Sequence, residues 1–339
     1  MLKRSVLVTG GAGYLGSVLI EELAARGHKT IVFDNGLTSP SFPMSFNGHN
    51  ESYIQGDVRD SGDLASALKS VDSVVHLAGI VGDPACNADR DLAWEINYLG
   101  TIRLVEACRK AGVRRFIFAS SCSNYGFQVD SDADEWSPLN PQSIYAQTKI
   151  QSEHYLLLMR DDAFSPCILR FATLYGLSPR MRFDLALNIM TVKAVLEKEV
   201  TVYGGEQWRP FLHVRDAAQA IIQGLERTPS KNVSEIYNCG SNTENYQLQE
   251  IGQLIAQEVP GTKLSVLPKE VDKRNYRVNF ARIRRDFNFS CSRQVINGIR
   301  EIRAAVQKGL YHDYTLPQYS NHLLALRTHV KGQDISILR

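Results

Sequence analysis

Short apolar runs alternate with stretches of helical periodicity through the first half of the chain. Ser5–Thr9, Lys29–Phe33, Ser73–Leu77, Arg115–Ser120 and Cys167–Ala172 carry Val, Ile, Leu or Phe at consecutive positions. Apolarity on both faces belongs to strands covered from both sides, so these runs predict a parallel sheet. Between the first two, Leu15, Val18, Leu19 and Leu23 form one helical stripe that Gly27 ends. Leu99–Arg109 and Ile144–Met159 read as further helices. Such alternation predicts an α/β fold with a doubly wound parallel sheet.

After Gly176 the texture changes. Helices are predicted over Arg180–Glu197, His213–Arg227, Gln247–Val259 and Gln294–Lys308, with short strands at Val200–Tyr203, Ile236–Cys239 and Lys263–Leu267. The expected organisation is a sheet domain over residues 1–172, to which the chain returns at about 210–240, and a smaller, interleaved α/β substrate-binding lobe from 173–209 and 241–310. Residues 311–339 mix Tyr, His and Leu and are expected to dock as a C-terminal extension whose role the pattern does not give.

The 339 residues are enough to bury a large core, and 38 basic against 36 acidic side chains leave a net charge of only +2. That balance argues against a nucleic-acid partner, whose binding rests on phosphate neutralisation. No apolar run approaches a membrane span, and a strand begins almost at once, which leaves no room for a signal peptide. The six cysteines form no CxxC pair and no Cys/His cluster. They read as reduced thiols in a cytoplasmic protein with no metal site.

Candidate chemistry begins where the first strand ends. Gly10, Gly13 and Gly16 occupy the turn between that strand and the first helix, next to Tyr14 and Leu15. In such a turn the first glycine permits the tight bend, the second lets backbone approach a pyrophosphate, and the third lets helix pack on strand. Asp34 closes the second strand before Asn35-Gly36, where a carboxylate accepts from adenosine ribose hydroxyls and repels a 2′-phosphate; NAD is thereby favoured over NADP. Asp57, beside Val58, can meet the adenine amino group or serve a plain turn. Leu77, Ala78 and Gly79 end the Ser73–Leu77 strand with residues suited to backbone lying against a cofactor. Asn97 is a further candidate cofactor contact, and otherwise buttresses the sheet or is polar surface.

Tyr145 and Lys149 stand four apart on a predicted helix, one turn apart on one face. A free phenol titrates near ~10, and a nearby cation stabilises its phenolate. Upstream, Ser120-Ser121-Cys122-Ser123 follows a strand at the carboxyl edge of the sheet, where open α/β folds bind ligands, although serines there also cap turns.

Gly10–Gly16, Asp34, Ser121, Tyr145 with Lys149, and Arg209-Pro210-Phe211-Leu212-His213-Val214-Arg215-Asp216 together resemble the extended short-chain dehydrogenase/reductase family, in its branch of NAD-dependent nucleotide-sugar epimerases and dehydratases. The resemblance covers about residues 4–305. It implies a Rossmann-type NAD domain, a nucleotide-diphosphate sugar substrate, and a homodimer formed through Leu99–Arg109 and Ile144–Met159. Tyr145 would be the base that takes a sugar hydroxyl proton, Lys149 would bind the nicotinamide ribose and lower the phenol's pKa, and the family pattern selects Ser121 as the hydroxyl partner, with Ser123 a secondary contact. Arg209 matches the arginine that the family aims at the substrate diphosphate, whereas His213 reads as structural.

Departures from the family pattern narrow the chemistry. The dehydratase branch follows the hydroxyl residue with an Asp-Glu pair; Cys122 and Ser123 stand there and disfavour dehydration. Thr173 replaces a common Asn at a substrate contact. The basic stretch Arg180-Met181-Arg182, with Asn188 beyond it, suits a diphosphate or is a solvated helix start. Of Arg274 and Arg277, Arg277 is the expected further nucleotide contact. These features favour a 4-epimerase working through a 4-keto sugar; a net C4 dehydrogenase or ketoreductase is the alternative, ahead of a 4,6-dehydratase or a non-catalytic NAD-binding regulator.

Overall fold

The computed structural model describes residues 3–37, 51–128, 131–229, 235–268 and 274–324. Its first half carries strands β1 (Ser5–Thr9), β2 (Lys29–Asp34), β3 (Glu51–Gln55), β4 (Ser73–His76), β5 (Arg115–Ser121) and β6 (Ser165–Phe171). The second adds β7 (Thr173–Tyr175), β8 (Glu199–Tyr203), β9 (Trp208–His213), β10 (Ile236–Cys239), β11 (Asn245–Gln247) and β12 (Lys263–Leu267). Helices α1 (Tyr14–Ala25), α2 (Ser61–Ala67), α3 (Asp83–Ala88), α4 (Arg90–Trp94), α5 (Gly100–Lys110) and α6 (Ile144–Leu158) intervene in the first half. They are followed by α7 (Ala186–Glu197), α8 (Val214–Glu226), α9 (Leu248–Glu258), α10 (Ala281–Phe287) and α11 (Val295–Gln307).

Seven strands form one sheet in the order β10-β6-β5-β4-β1-β2-β3, and every pairing in it is parallel. Period-two alternation splits its side chains between two cores. Leu7, Phe33, Val74, Phe116 and Phe118 pack with Leu104, Val105 and Cys108 of α5. Val6, Val8, Val75, Ile117 and Leu169 pack with Leu19 and Leu23 of α1 and Ile221 and Leu225 of α8. Both faces are covered, which is why the runs read as continuous in sequence. Strand order reverses between β1 and β4, and a sheet of this kind binds ligands in the crevice at that point.

The second core continues into a smaller layer built from a three-stranded sheet (β11-β9-β7), the β12-β8 pair, and α7, α9 and α11. The chain enters it at β7, directly after β6, and rejoins the large sheet at β10. Two predicted helices have different starts. The one expected from Arg180 begins at Ala186, because Ser178–Asp184 runs as an irregular loop. The one expected from Leu99 continues out of α4 through a π-turn at Glu95–Leu99. Part of the C-terminal stretch does dock: Tyr311 and Tyr319 lie edge-on to Phe183 at 5.1 and 5.3 Å. Among the described residues no helix is long and apolar enough to cross a membrane.

Candidate active site

A cavity of about 510 Å³ opens at the switch point between β1 and β4. The β1–α1 turn forms its floor. Gly10 has φ +71°, and a Cβ there would lie 2.6 Å from the Ala78 backbone nitrogen; one on Gly16 would lie 2.4 Å from the Gly10 carbonyl oxygen. Only glycine lets these three backbone segments close together. Gly13 stands at the head of α1 and no side chain caps that helix, so its first N–H groups are left for an anion. Tyr14 and Leu15 line the cavity as well, although the Tyr14 hydroxyl is spent donating to the Gly176 carbonyl at 2.6 Å.

Asp34 is buried at the end of β2. Its carboxylate accepts from Ala12 N at 3.0 Å and Gly36 N at 2.9 Å, which fixes both oxygens toward the turn. Burial raises its pKa, while those two N–H groups and the charge of Arg180 oppose the rise. Leu77, Ala78, Gly79, Asn35 and Val58 complete this half of the lining. A glycine cradle, an uncapped helix start and a fixed carboxylate are what the pyrophosphate and ribose of NAD require, so these residues fit the cofactor.

Ser121, Tyr145 and Lys149 line the opposite wall, from the end of β5 and from α6. Ser143 caps α6, accepting from Ala146 N at 3.3 Å, and thereby sets where Tyr145 begins the helix. The Ser121 and Ser123 hydroxyls are 2.8 Å apart, and Ser121 Oγ accepts from Ser123 N at 3.1 Å. Lys149 Nζ donates to the Ala119 carbonyl at 2.7 Å and lies 5.8 Å from the centre of the Tyr145 ring. Burial lowers the Lys149 pKa to about 8. Burial also raises the Tyr145 phenol well above its ordinary range, against a hydrogen bond from Ser121 and the charge of Arg182.

The third wall belongs to the smaller lobe: Thr173, Leu174, Arg180, Arg182, Asp184, Arg209, Phe211, Arg274 and Tyr276. Arg209 lies over the Tyr276 ring at 5.3 Å and donates to the Arg274 carbonyl at 2.7 Å. Arg182 grips Asp184 through two contacts of 2.8 and 3.1 Å. Arg180 and Asp34 act electrostatically on one another, and burial together with Arg182 lowers the Arg180 pKa to about 10. Arg180 is thus within electrostatic reach of Arg182 and Asp184 in the smaller lobe and of Asp34 in the cofactor half.

Four expected site residues fall outside the lining. Arg277 is turned away, paired with Asp132 at 3.2 Å and stacked 4.8 Å over Trp208, whereas Arg274 and Tyr276 face the cavity. In an extended segment residues two apart share a face and the next one takes the other. Asn188 is fully buried in structural duty: it accepts from Gly176 N at 3.0 Å and donates to the Arg182 carbonyl at 2.9 Å. Asn97 braces the wall from behind, bonding both the N–H and the carbonyl of Ile80 at 2.7 and 2.9 Å. Asp57 is held by Arg59 and Asn35, with contacts of 2.8 and 3.1 Å, while its neighbours Gly56 and Val58 line the cavity.

Other residues were not singled out in the sequence. Ile80–Pro84, Asp83 paired with Arg274 at 2.8 Å, and Asn321 from the C-terminal stretch all line the cavity. Beneath Ser121, a buried group of Ser120, Asn124, Glu153 and Arg170 holds the end of β5 against α6. Glu153 follows Lys149 by four residues, the one signal available; Asn321 gave none. His213 caps α8 by accepting from Arg215 N at 3.2 Å and contacts Glu301 at 2.8 Å, in keeping with a structural reading.

The chain is 29% identical to UDP-glucose 4-epimerase of Bacillus subtilis (strain 168) over 263 residues, covering 70% of this chain and 78% of that enzyme. It is 31% identical to UDP-N-acetyl-alpha-D-glucosaminuronate decarboxylase of Bacillus cytotoxicus, covering 76% of this chain and 80% of the relative. Among solved structures, MoeE5 in complex with UDP-glucuronic acid and NAD is 29% identical with a TM-score of 0.78, covering 90% of this chain and 99% of that one. The model of the NAD dependent epimerase/dehydratase family matches residues 6–240. The chain belongs to that family, within the extended short-chain dehydrogenases/reductases, and is an NAD-dependent enzyme.

Proposed function

We propose that this chain is a 4-epimerase of a nucleotide-diphosphate hexose, with Tyr145 as the base, Lys149 and Ser121 as its partners, and a UDP-hexose as the first substrate to try. The reading rests on one observation above all: Ser121, Tyr145 and Lys149 share a cavity with the glycine turn and Asp34. When bound, NAD supplies a nicotinamide that accepts a hydride from the substrate carbon and can return it.

Tyr145 takes the proton from the hydroxyl on the reacting carbon, and Ser121 holds that oxygen by a hydrogen bond. Lys149 lowers the cost of the phenolate, whose pKa burial otherwise raises. The resulting ketone turns over in the cleft, Tyr145 gives the proton back, and the carbon is rebuilt with opposite configuration. The net change in oxidation state is zero. Arg209 and Arg182 are the proposed anchors for the diphosphate and the sugar end, with Thr173 and Ser123 as nearby polar contacts. Arg180 is proposed to serve the cofactor side.

The 4,6-dehydratase branch carries an acidic pair directly after the hydroxyl residue, where this chain has Cys122 and Ser123. Cys122 is buried, its thiol donates to the Arg170 carbonyl at 3.1 Å, and burial raises its pKa. A side chain so placed neither reaches the cleft nor exchanges protons there. The enzyme is further proposed to work in the cytoplasm as a homodimer through α5 and α6, whose neighbourhood exposes Leu99 and Leu158 at 42% and 79%.

The test is incubation of the purified enzyme with UDP-glucose, UDP-N-acetylglucosamine, UDP-glucuronic acid and their dTDP, GDP and CDP counterparts, followed by NMR of the sugar and by absorbance of reduced cofactor. Appearance of the C4 epimer without accumulated NADH is expected. Stoichiometric NADH with a keto product would replace the epimerase with the net dehydrogenase.

A further inference from the structure

One residue of the cleft's lining, Asn321, comes from a segment beyond the stretch that the family model matches. Residues 311–324 cross the smaller lobe and are fastened to the loop ahead of α7. Phe183 is ringed by Tyr311, Tyr314 and Tyr319 at 5.1, 6.2 and 5.3 Å, and its N–H donates to the Tyr319 carbonyl at 2.9 Å. Directly after this clamp, Asn321 N donates to Asp184 Oδ2 at 2.8 Å. Asp184 is the carboxylate that holds Arg182, whose charge reaches Tyr145. Asn321 Nδ2 meets the Val81 carbonyl at 3.4 Å, in the loop that follows β4. Asn321 therefore joins the two sides of the cleft and is part of its lining.

Its amide oxygen is the informative atom. Oδ1 of Asn321 is buried and has no hydrogen-bond donor. A buried carbonyl oxygen left in that state costs free energy, and side chains of this kind are almost always satisfied. The main-chain nitrogen is fixed by Asp184, while the amide is restrained by one long contact to Val81, in a residue that lines the cavity. Val81, Asp184 and Arg182 stand around it in the lining, and the charge of Arg182 acts on Tyr145.

We infer that Asn321 is a specificity-determining substrate contact, accepting a hydrogen bond from a hydroxyl or amide N–H of the hexose, and that residues 311–324 complete the sugar site. This rests on the nucleotide-sugar reading above. A site that holds an acceptor for a sugar donor rejects analogues lacking that donor, because the acceptor is then left unpaired.

The experiment compares Asn321→Leu and Asn321→Ala with the wild-type enzyme loaded with NAD. Isothermal titration is run with UDP alone and UDP-glucose, and with the dTDP, GDP and CDP pairs. The hexose ester is expected to weaken about tenfold in both variants, as loss of one hydrogen bond in a closed site does, while the bare diphosphate stays within about twofold. Unchanged diphosphate binding also shows that the variants fold. An unchanged ester-to-diphosphate ratio overturns the assignment of Asn321 and leaves the nucleotide-sugar reading standing. Equal weakening of ester and diphosphate overturns it in favour of a purely structural strap. Wild-type enzyme that binds none of the four pairs overturns the nucleotide-sugar reading itself, and this inference with it.

Discussion

Arg170 and Glu153 meet beneath the end of β5 with side chains only 4% and 1% exposed. Arg170 reaches Glu153 through contacts of 2.6, 3.0 and 3.2 Å and donates to the Tyr125 hydroxyl at 3.0 Å; Asn124 adds a bond to Glu153 at 2.9 Å. Arg170→Met keeps much of the volume but leaves a buried carboxylate without its cation. Breaking a buried pair in this way costs about 3–5 kcal/mol. Unfolding entropy of about 2.1 cal/mol/K per residue, taken over 339 residues, gives about 0.7 kcal/mol per degree. For a chain that unfolds as one unit the melting temperature should therefore fall by about 4–7 °C. Calorimetry of Arg170→Met, Glu153→Met and the double variant measures it. The double variant should recover about half of the summed loss, since no lone charge remains. A drop below about 1 °C for the single variants, or simple addition in the double, would refute the reasoning.

Tyr145→Phe should retain NAD binding and lose about 10²–10⁴ in kcat, the usual contribution of a general base, measured by steady-state turnover of whichever nucleotide sugar proves active. Gly13→Ala should fold, because Gly13 has extended backbone (φ −79°, ψ −177°) and a Cβ there meets only the Gly10 carbonyl, at 3.1 Å. Its melting point should stay within about 2 °C while NAD affinity falls by more than about tenfold, since the methyl occupies the path of the pyrophosphate. Lys149, lowered by burial to about 8, holds its proton less tightly folded than unfolded. The unfolded chain thus binds more protons between about pH 8 and about 10.5, and stability from this group rises across that window and is absent below it. Cofactor-free wild type measured against Lys149→Met by urea unfolding should gain at most about 3 kcal/mol from pH 8 to 10.5; a flat difference would contradict the buried ammonium.

Where local pattern and packing agree, the sequence was informative. Strands buried on both faces leave continuous apolar runs, and a turn with no room for a Cβ at Gly10 and Gly16 keeps glycine at both, so β1, β2, β4, β5, β6 and Gly10–Gly16 could be read directly. Ser121, Tyr145 and Lys149 do come to one wall, because strand end and helix face fix them. The differences concentrate on and beside irregular backbone. Arg180 and Arg182 look like a helix start in sequence, yet they stay in a loop whose arginines line the cavity, and Asn188 turns inward to tie that loop down. Arg274 and Arg277 differ only in which side of an extended segment they take, a parity that composition does not record. Asn97, in a π-turn, takes the buttressing role that was one of its two readings, whereas Asn321 reaches the cavity from far along the chain and leaves no local trace.

The proposed chemistry returns to the substrate carbon the same hydrogen that it removes. The most direct measurement supplies a nucleotide hexose deuterated at C4 and follows the label by NMR and mass spectrometry in ordinary water. Epimerisation by this site predicts that the product epimer keeps the deuterium at C4 without dilution, with no reduced cofactor building up. Product in which solvent hydrogen has replaced the label, or a keto sugar released with the label left on the cofactor, would contradict it.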